Sequence, residues 1–117
     1  MSELMTLKEI CRRVGVTRRM VQGYEQKGLV SAVSTNKYGH LLYDGEGLRK
    51  IESIRLYQQF GFRLDEIREL FELSEEELKI RIIRQIEIMQ MKRDEYEKLI
   101  QIAKEQLWER GDSYEKL

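Results

Sequence analysis

The stretch VGVTRRMVQGYEQKGLV, residues 14–30, decides the fold of this chain. Thr17 can cap a helix that begins at Arg18. Two features of this helix need an explanation. Arg18 and Arg19 stand together at its exposed start, and Gly23 lies in its middle, where glycine costs about 0.5–1 kcal/mol relative to alanine.

A second short helix precedes this one. Thr6 and Glu9 form a capping box that opens the stretch LKEICRRVG, which ends near Gly15. The later helix extends to about Lys27, and Gly28 follows it where glycine commonly ends a helix. Two short helices joined by VGV predict a helix-turn-helix motif. In this motif the second helix enters the major groove of DNA, and its first residues meet base edges and phosphates.

The second helix therefore carries candidate DNA contacts. Thr17, Arg18 and Arg19 occupy its start, and the arginine fork matches both guanine and phosphate. Gln22 lies one helical turn further along the same face. The alternative explanation of the arginines is a solvated pair on the surface of an ordinary helix.

A change of pattern after the second helix predicts a small β-ribbon, or wing. Residues 31–39, SAVSTNKYG, hold turn-forming residues, and residues 40–43, HLLY, are typical of a short strand. Two more helices are expected, one capped by Asp44 that runs from about 45 to 60, and one from about 64 to 71. The side chains expected to be buried in these two helices are Ile51, Ile54, Leu56, Tyr57, Ile67, Leu70 and Phe71.

The rest of the chain is predicted to be one long helix. Ser74 and Glu77 form another capping box, and the helix runs to about Arg110, before Gly111. About 36 helical residues span about 54 Å. One set of positions recurs at alternating spacings of four and three, with Arg93 interrupting an otherwise apolar series. This seam consists of Ile82, Ile86, Met89, Arg93, Tyr96, Ile100, Ala103 and Leu107.

The seam predicts a coiled-coil homodimer, because no small domain buries such a long helix alone. A second apolar stripe widens this face and is expected to touch a head domain; it consists of Ile83, Ile88, Met91, Leu99 and Ile102. The alternative is an amphipathic helix that folds back on its own head domain. The predicted domains are a head at 1–73, a dimerisation helix at 74–110 and a tail at 111–117.

The charge distribution favours a polyanionic partner for the first half of the chain. The 117 residues carry no formal net charge, yet residues 1–50 hold nine basic and five acidic side chains. The first half is therefore +4 and the remainder −4. This modest excess of positive charge agrees with DNA binding by the helix-turn-helix.

Other classes of function are disfavoured by composition. The chain has no apolar run long enough to span a membrane and no signal peptide pattern. The single cysteine, Cys11, suits a reducing compartment, and we expect a cytoplasmic protein. His40 is the only histidine, so the sequence offers neither a catalytic triad nor a cluster of metal ligands. It also contains no glycine-rich loop of the kind that binds the phosphates of a cofactor. We expect neither an enzyme nor a membrane protein.

From Met5 to Phe71 the chain resembles the MerR family of bacterial transcription regulators. The matching segments are MTLKEICRRVGVT, YEQKGLV, YGHLLYDGEGLRKI and IRLYQQFGFRLDEIRELF, and the long C-terminal helix fits as well. The resemblance implies a winged helix-turn-helix head and an antiparallel coiled-coil dimer. It also implies binding to promoter DNA with an overlong spacer, where distortion of the DNA realigns the contacts of RNA polymerase. The DNA contacts are then expected at Thr17, Arg18, Arg19, Gln22, Tyr24, Lys27, Lys37, Tyr38 and His40.

The chain departs from the family pattern at the recognition helix and at the wing. The family usually has Arg-Tyr-Tyr followed by Glu or Asp where this chain has Gln22, Gly23, Tyr24 and Glu25. The family wing usually reads Gly-Tyr-Arg-x-Tyr, and Leu41 stands here at the arginine position. Lys37, Tyr38 and His40 could replace part of the lost contact. Gly23 is most simply a lost side chain on a retained scaffold.

Two questions stay open at the level of sequence. Metal-sensing members of the family carry cysteines near the end of the long helix, whereas Cys11 lies in the first helix and is expected to be a small packing residue. Drug-sensing members carry a large C-terminal domain, and here a small effector, if any, would lie near Tyr96 and Trp108. The alternative function is that of a MerR-like protein-interaction module, of the type that modulates a co-chaperone and does not bind DNA.

Overall fold

The computed structural model describes residues 3–111 and divides the chain into two compact units, with the boundary between Ser74 and Glu75. The first unit, the head, contains seven elements in its described part. In chain order they are β1 (Met5–Thr6), α1 (Leu7–Val14), α2 (Arg18–Gln26), β2 (Ser34–Thr35), β3 (Leu41–Tyr43), α3 (Gly45–Gln59) and α4 (Leu64–Leu70). The second unit is the helix α5 (Glu75–Glu109). Of the predicted tail, residues 112–117 lie outside the described residues. The prediction of a mainly helical, winged helix-turn-helix head followed by a long helix is confirmed.

Side-chain caps start the first helices where the sequence predicts them. The Oγ1 atom of Thr6 accepts from the backbone N–H of Glu9 at 3.3 Å, and the Glu9 carboxylate accepts in return from the N–H of Thr6. Thr17 Oγ1 accepts from the N–H of Met20 at 3.1 Å, and Asp44 caps α3 in the same way. These bonds satisfy N–H groups that the first helical turn leaves without a partner. The helix starts are therefore set by local chemistry.

A three-stranded antiparallel sheet ties the start of the chain to the wing. Strand β3 lies in the centre, between β1 and β2, and the pairs Met5–Tyr43 and Thr6–Leu42 align β1 with β3. The wing formed by β2 and β3 was predicted from the sequence, whereas the strand β1 was not. Because Thr6 also caps α1, this pairing fixes the beginning of α1 beside the wing.

The apolar core lies in the head. Its buried side chains are Met5, Ile10, Val16, Val21, Tyr24, Leu29, Val30, Tyr43, Ile51, Ile54, Phe62, Ile67 and Leu70. Two predictions of burial are wrong, because Leu56 is 48% and Phe71 is 41% exposed. On α3 the inward side carries Ile51 and Ile54, and Leu56 falls on the other side of a helix with 3.6 residues per turn. Tyr57 is half-buried, and its ring lies 6.2 Å from that of Phe71.

Candidate nucleic-acid interface

The recognition helix α2 presents a cationic start. Arg18, Arg19 and Gln22 are all exposed, and the first turn of α2 contains no acidic residue. Within residues 3–111, neither arginine takes part in an ion pair. The N-terminus of a helix carries a partial positive charge, so two cations there repel it. The arrangement is unfavourable in the free protein and becomes favourable when an anion is bound.

The opposite side of α2 is anchored in the head. Val21 and Tyr24 are buried, and the Tyr24 hydroxyl donates a hydrogen bond of 2.7 Å to Oε1 of Gln58 in α3. Burial raises the pKa of Tyr24, and the positive charge of Arg55 opposes that shift. The prediction that Tyr24 contacts DNA is wrong, because its side chain is only 1% exposed. The ring fixes the helix in place from within.

Gly23 occupies open space within α2. A Cβ atom added there would meet no atom within 4 Å outside the local helix backbone. No other segment of the described chain approaches this position closely, so the glycine is not needed for packing. This agrees with the interpretation that a side chain has been lost from a retained scaffold.

The wing places three polar side chains at its tip. The Oδ1 atom of Asn36 accepts from the N–H groups of Tyr38 and His40, at 2.9 and 3.0 Å, and closes the turn. Gly39 supplies the left-handed backbone that this turn requires, with φ +80°. Lys37 Nζ lies 5.2 Å from the centre of the Tyr38 ring, a cation–π contact, and all the residues from 37 to 40 are exposed. The tip is therefore available to a partner.

Leu41 follows on β3 and is 39% exposed. Leu41 is therefore not packed fully inward. An apolar side chain occupies the surface position at which the resemblance places an arginine.

A partly buried hydrogen bond joins the wing to the recognition helix. The hydroxyl of Tyr43, in β3, donates to Oε1 of Glu25, in α2. Burial is the main cause that raises the pKa of Tyr43, and the hydrogen bond and charge of Glu25 raise it further. Tyr24 and Glu25, adjacent in sequence, thus tie α2 to α3 and to the wing respectively.

A groove lies between the start of α1, the exposed face of α2 and the wing. This wing groove has a volume of about 590 Å³. It is lined by Thr6, Leu7, Lys8, Arg18, Gln22, Gly39, His40 and Leu41. Three of the predicted contacts, Arg18, Gln22 and His40, therefore meet around one space. Lys8 was not among the predicted contacts, although its position at the start of a helix, where a cation is unfavourable, was a usable signal.

Lys27 and Cys11 have other surroundings. The Lys27 ammonium forms an ion pair of 3.0 Å with Oδ1 of Asp65 at the start of α4, and this contact lowers the pKa of Asp65. Lys27 is thus engaged within the head. Cys11 is half-buried; burial raises the pKa of its thiol, and the charge of Arg18 opposes the shift. Among the described residues, no cluster of His, Cys, Asp or Glu could hold a metal ion.

The seam residues of α5 are partly accessible in the single chain. Ile82, Met89 and Leu107 are half-buried, and the other five seam residues are exposed. The guanidinium of Arg93 pairs with Asp94 at 3.2 Å and approaches Glu97 at 3.9 Å. Tyr96 and Trp108 are 65% and 75% exposed. No helix within residues 3–111 is long and apolar enough to cross a membrane.

Comparison with known proteins places the head in a described family. Residues 5–74 match the profile of the MerR HTH family regulatory protein. The nodulation protein NolA of Bradyrhizobium elkanii is 38% identical over 64 residues, which are 55% of this chain and 29% of NolA. The chain therefore spans under a third of that relative.

Two solved structures share the fold over nearly the whole chain. A MerR family transcriptional regulator from Bacillus cereus superposes with a TM-score of 0.78 at 22% identity, covering 92% of this chain and 82% of the other. HiNmlR, a MerR family regulator lacking the sensor domain and bound to promoter DNA, superposes with a TM-score of 0.74 at 16% identity. The match covers 94% of this chain and 92% of HiNmlR.

Proposed function

Because the chain belongs to the MerR family of helix-turn-helix regulators, which are transcription regulators and not enzymes, we propose that it binds promoter DNA and controls transcription. The observation that carries the proposal is the meeting of Arg18, Gln22 and His40 around the wing groove. The start of the recognition helix and the tip of the wing are neighbours on the surface, as simultaneous contact with one DNA duplex requires. The two arginines have no competing ion pair in the described chain.

We propose distinct roles for the exposed side chains. Arg18 and Arg19 read base edges or adjacent phosphates in the major groove, and Gln22 contacts a neighbouring base. Lys37 and Tyr38 contact phosphates from the wing and position the head without reading sequence. Thr17 serves chiefly as the cap that starts α2, since its hydroxyl already accepts from the N–H of Met20.

The test is binding to duplex DNA from the promoter region upstream of the protein's own gene, measured by fluorescence anisotropy. Arg18→Ala and Arg19→Ala should each weaken binding to the best site by about 1–3 kcal/mol and relax its specificity. Arg84→Ala is the matched control, because it removes the same charge from an exposed position on α5. Equal behaviour of all three variants would refute the assignment of the recognition helix.

The protein acts as a homodimer joined through the seam of α5. The chain offers a matched pair of double variants for this test. Ile86 and Ile100 of the seam are 42% and 51% exposed, and Ile88 and Ile102 of the second stripe are 43% and 53% exposed at the same spacing. Exposure within the single chain therefore cannot explain any difference between the two pairs.

Glutamates at positions 86 and 100 should split the dimer, because two partner helices would bury unpaired charges. Glutamates at positions 88 and 102 should weaken the dimer less. Sedimentation equilibrium measures both. A wild-type chain that is monomeric at micromolar concentration, or equal dissociation by both pairs, would overturn the assignment of the seam.

On the promoter we propose that the dimer distorts an overlong spacer and so realigns the contacts of RNA polymerase, in the cytoplasm of a bacterial cell. The test is transcription in vitro from the native promoter and from one with a shortened spacer. The native promoter should respond to the protein, and the shortened one should not need it. The same response from both promoters would argue for simple occlusion or recruitment.

One observation favours a second candidate function. Leu41, at 39% exposure, presents an apolar side chain where DNA contact would favour a charge. A protein-interaction module of the co-chaperone modulator type would use such a surface. Complete absence of binding to any duplex, together with a folded dimer, would favour that candidate.

A further inference from the structure

We propose that the wing groove seats one phosphate of the DNA backbone between Lys8, Arg18 and His40, and that DNA binding is thereby coupled to protonation of His40. The inference rests on the proposed function and deepens it. It adds Lys8, which the sequence did not single out, and it gives the single histidine of the chain a defined role.

The groove is lined by basic, neutral polar and apolar residues. Its lining comes from α1, α2 and the wing, and includes Lys8, Arg18 and His40 but no aspartate or glutamate. Glu9, the acidic residue nearest to Lys8 in sequence, is turned toward Thr6, where its carboxylate accepts from both the N–H and the hydroxyl. Within residues 3–111, no ion pair joins Lys8 or Arg18 to an acidic side chain.

The helix termini add to this preference. Lys8 lies in the first turn of α1 and Arg18 in the first turn of α2, so each cation stands at the positive end of a helix. Neither charge is placed to stabilise its own helix. An anion between the two helix starts would relieve both repulsions at once.

The position of the groove suits a backbone phosphate in particular. A recognition helix in the major groove and a wing in the adjacent minor groove must straddle the sugar–phosphate strand that separates the two grooves. The wing groove is the space between these elements, and at about 590 Å³ it is open and large enough for a phosphodiester and its sugars. The side-chain amide of Gln22 supplies a neutral donor on its wall.

His40 makes this seat sensitive to pH. A histidine ordinarily changes its charge between about pH 5 and pH 8, and a phosphate favours the protonated ring. The groups that face His40 are Lys8 and Arg18 across the groove and Tyr38 beside it, with ring centres 6.2 Å apart; Lys37 lies over the Tyr38 ring. Binding should therefore take up a proton at His40, and affinity should rise as pH falls.

The experiment measures affinity for the best duplex as a function of salt and pH in wild type, Lys8→Ala, His40→Gln and Lys98→Ala. Lys98 is exposed on α5 and provides the matched loss of one lysine charge. Lys8→Ala should flatten the slope of log affinity against log salt by about 0.9 per half-site, and Lys98→Ala should not. Wild type should bind about two- to fivefold more tightly per half-site near pH 6 than near pH 8, the range for one exposed charge pair. His40→Gln should lose this difference.

Two further readouts separate binding from structure and DNA from a free anion. Lys8→Ala should leave the melting temperature unchanged or slightly raised, because its charge opposes the helix dipole. The ring resonances of His40 are unambiguous, since it is the only histidine, and their NMR titration should move to higher pH when the duplex is bound. A comparable shift with inorganic phosphate alone, at low millimolar concentration, would assign the groove to a free anion and overturn the proposal.

Different results would overturn the proposed function and the phosphate seat. Absence of binding to any duplex by wild type would overturn both the proposed function and the phosphate seat. Intact binding with a Lys8→Ala slope equal to that of Lys98→Ala, or with pH dependence retained in His40→Gln, would overturn the seat alone.

Discussion

Replacing Gly23 by alanine should stabilise the folded chain. The residue lies inside α2, and an added Cβ atom would meet nothing within 4 Å. The methyl group therefore causes no clash, and the gain comes from the smaller conformational entropy of the unfolded chain. Glycine costs about 0.5–1 kcal/mol relative to alanine in a helix, which corresponds to a rise in melting temperature of about 2–4 °C for a chain of this size.

Gly28 provides a control in which only the backbone differs. It too has no atom within 4 Å of an added Cβ, but its φ of +72° lies in the left-handed region. Alanine there should cost about 1–2 kcal/mol. The same substitution five residues apart should thus change stability in opposite directions.

Urea unfolding followed by far-ultraviolet circular dichroism measures both free energies. The protomer concentration must be the same for all variants, because the stability of a dimer depends on it. A Gly23→Ala variant that is less stable than wild type, with Gly28→Ala behaving as expected, would refute the reasoning. It would mean that the space beside Gly23 is occupied by another molecule, such as a second copy of the chain.

Two other substitutions test the wing. Leu41→Arg restores the charge that is usual in the family, at a position that is 39% exposed. The slope of log DNA affinity against log salt should steepen by about 0.9 per half-site, with no loss of melting temperature. An unchanged slope would show that this position does not reach a phosphate. Tyr43→Phe removes the hydrogen bond to Glu25 and should lower stability by about 1–3 kcal/mol, because it leaves a partly buried carboxylate without that donor. Since the folded pKa of Tyr43 is raised, its contribution is fully present below the ordinary tyrosine pKa of about 10 and is lost as pH rises above it. The free energy of unfolding should therefore fall less steeply with rising alkaline pH in Tyr43→Phe than in wild type. An identical pH profile would contradict the role given to this bond.

Local chemistry made much of the fold predictable. Helix starts follow from a single side chain and the next few residues, so Thr6, Thr17 and Asp44 located α1, α2 and α3 correctly. The long helix is equally local, since its predicted span to about Arg110 differs by one residue from its observed end at Glu109. Such patterns depend only on neighbouring residues and not on contacts between residues that are distant in sequence.

The error at Tyr24 was avoidable. Helical periodicity places Val21 and Tyr24, three residues apart, on one face and Arg18 with Gln22 on the other. The tyrosine was assigned to DNA because of the family motif, and the periodicity of α2 argued against it. Burial of Tyr24 and its bond to Gln58 follow that periodicity.

The wing groove could not be predicted, because its walls are distant in sequence and one short strand brings them together. β1 contains two residues, too few for any alternation of polar and apolar side chains to indicate a strand. Its pairing of Thr6 with Leu42 places the first turn of α1 next to the wing, and so brings Lys8 and His40 to the same groove. Without that pairing, Lys8 is one of several surface lysines and His40 is an isolated histidine. The proposed phosphate seat thus depends on a backbone contact between residues 36 positions apart, which local sequence patterns do not encode.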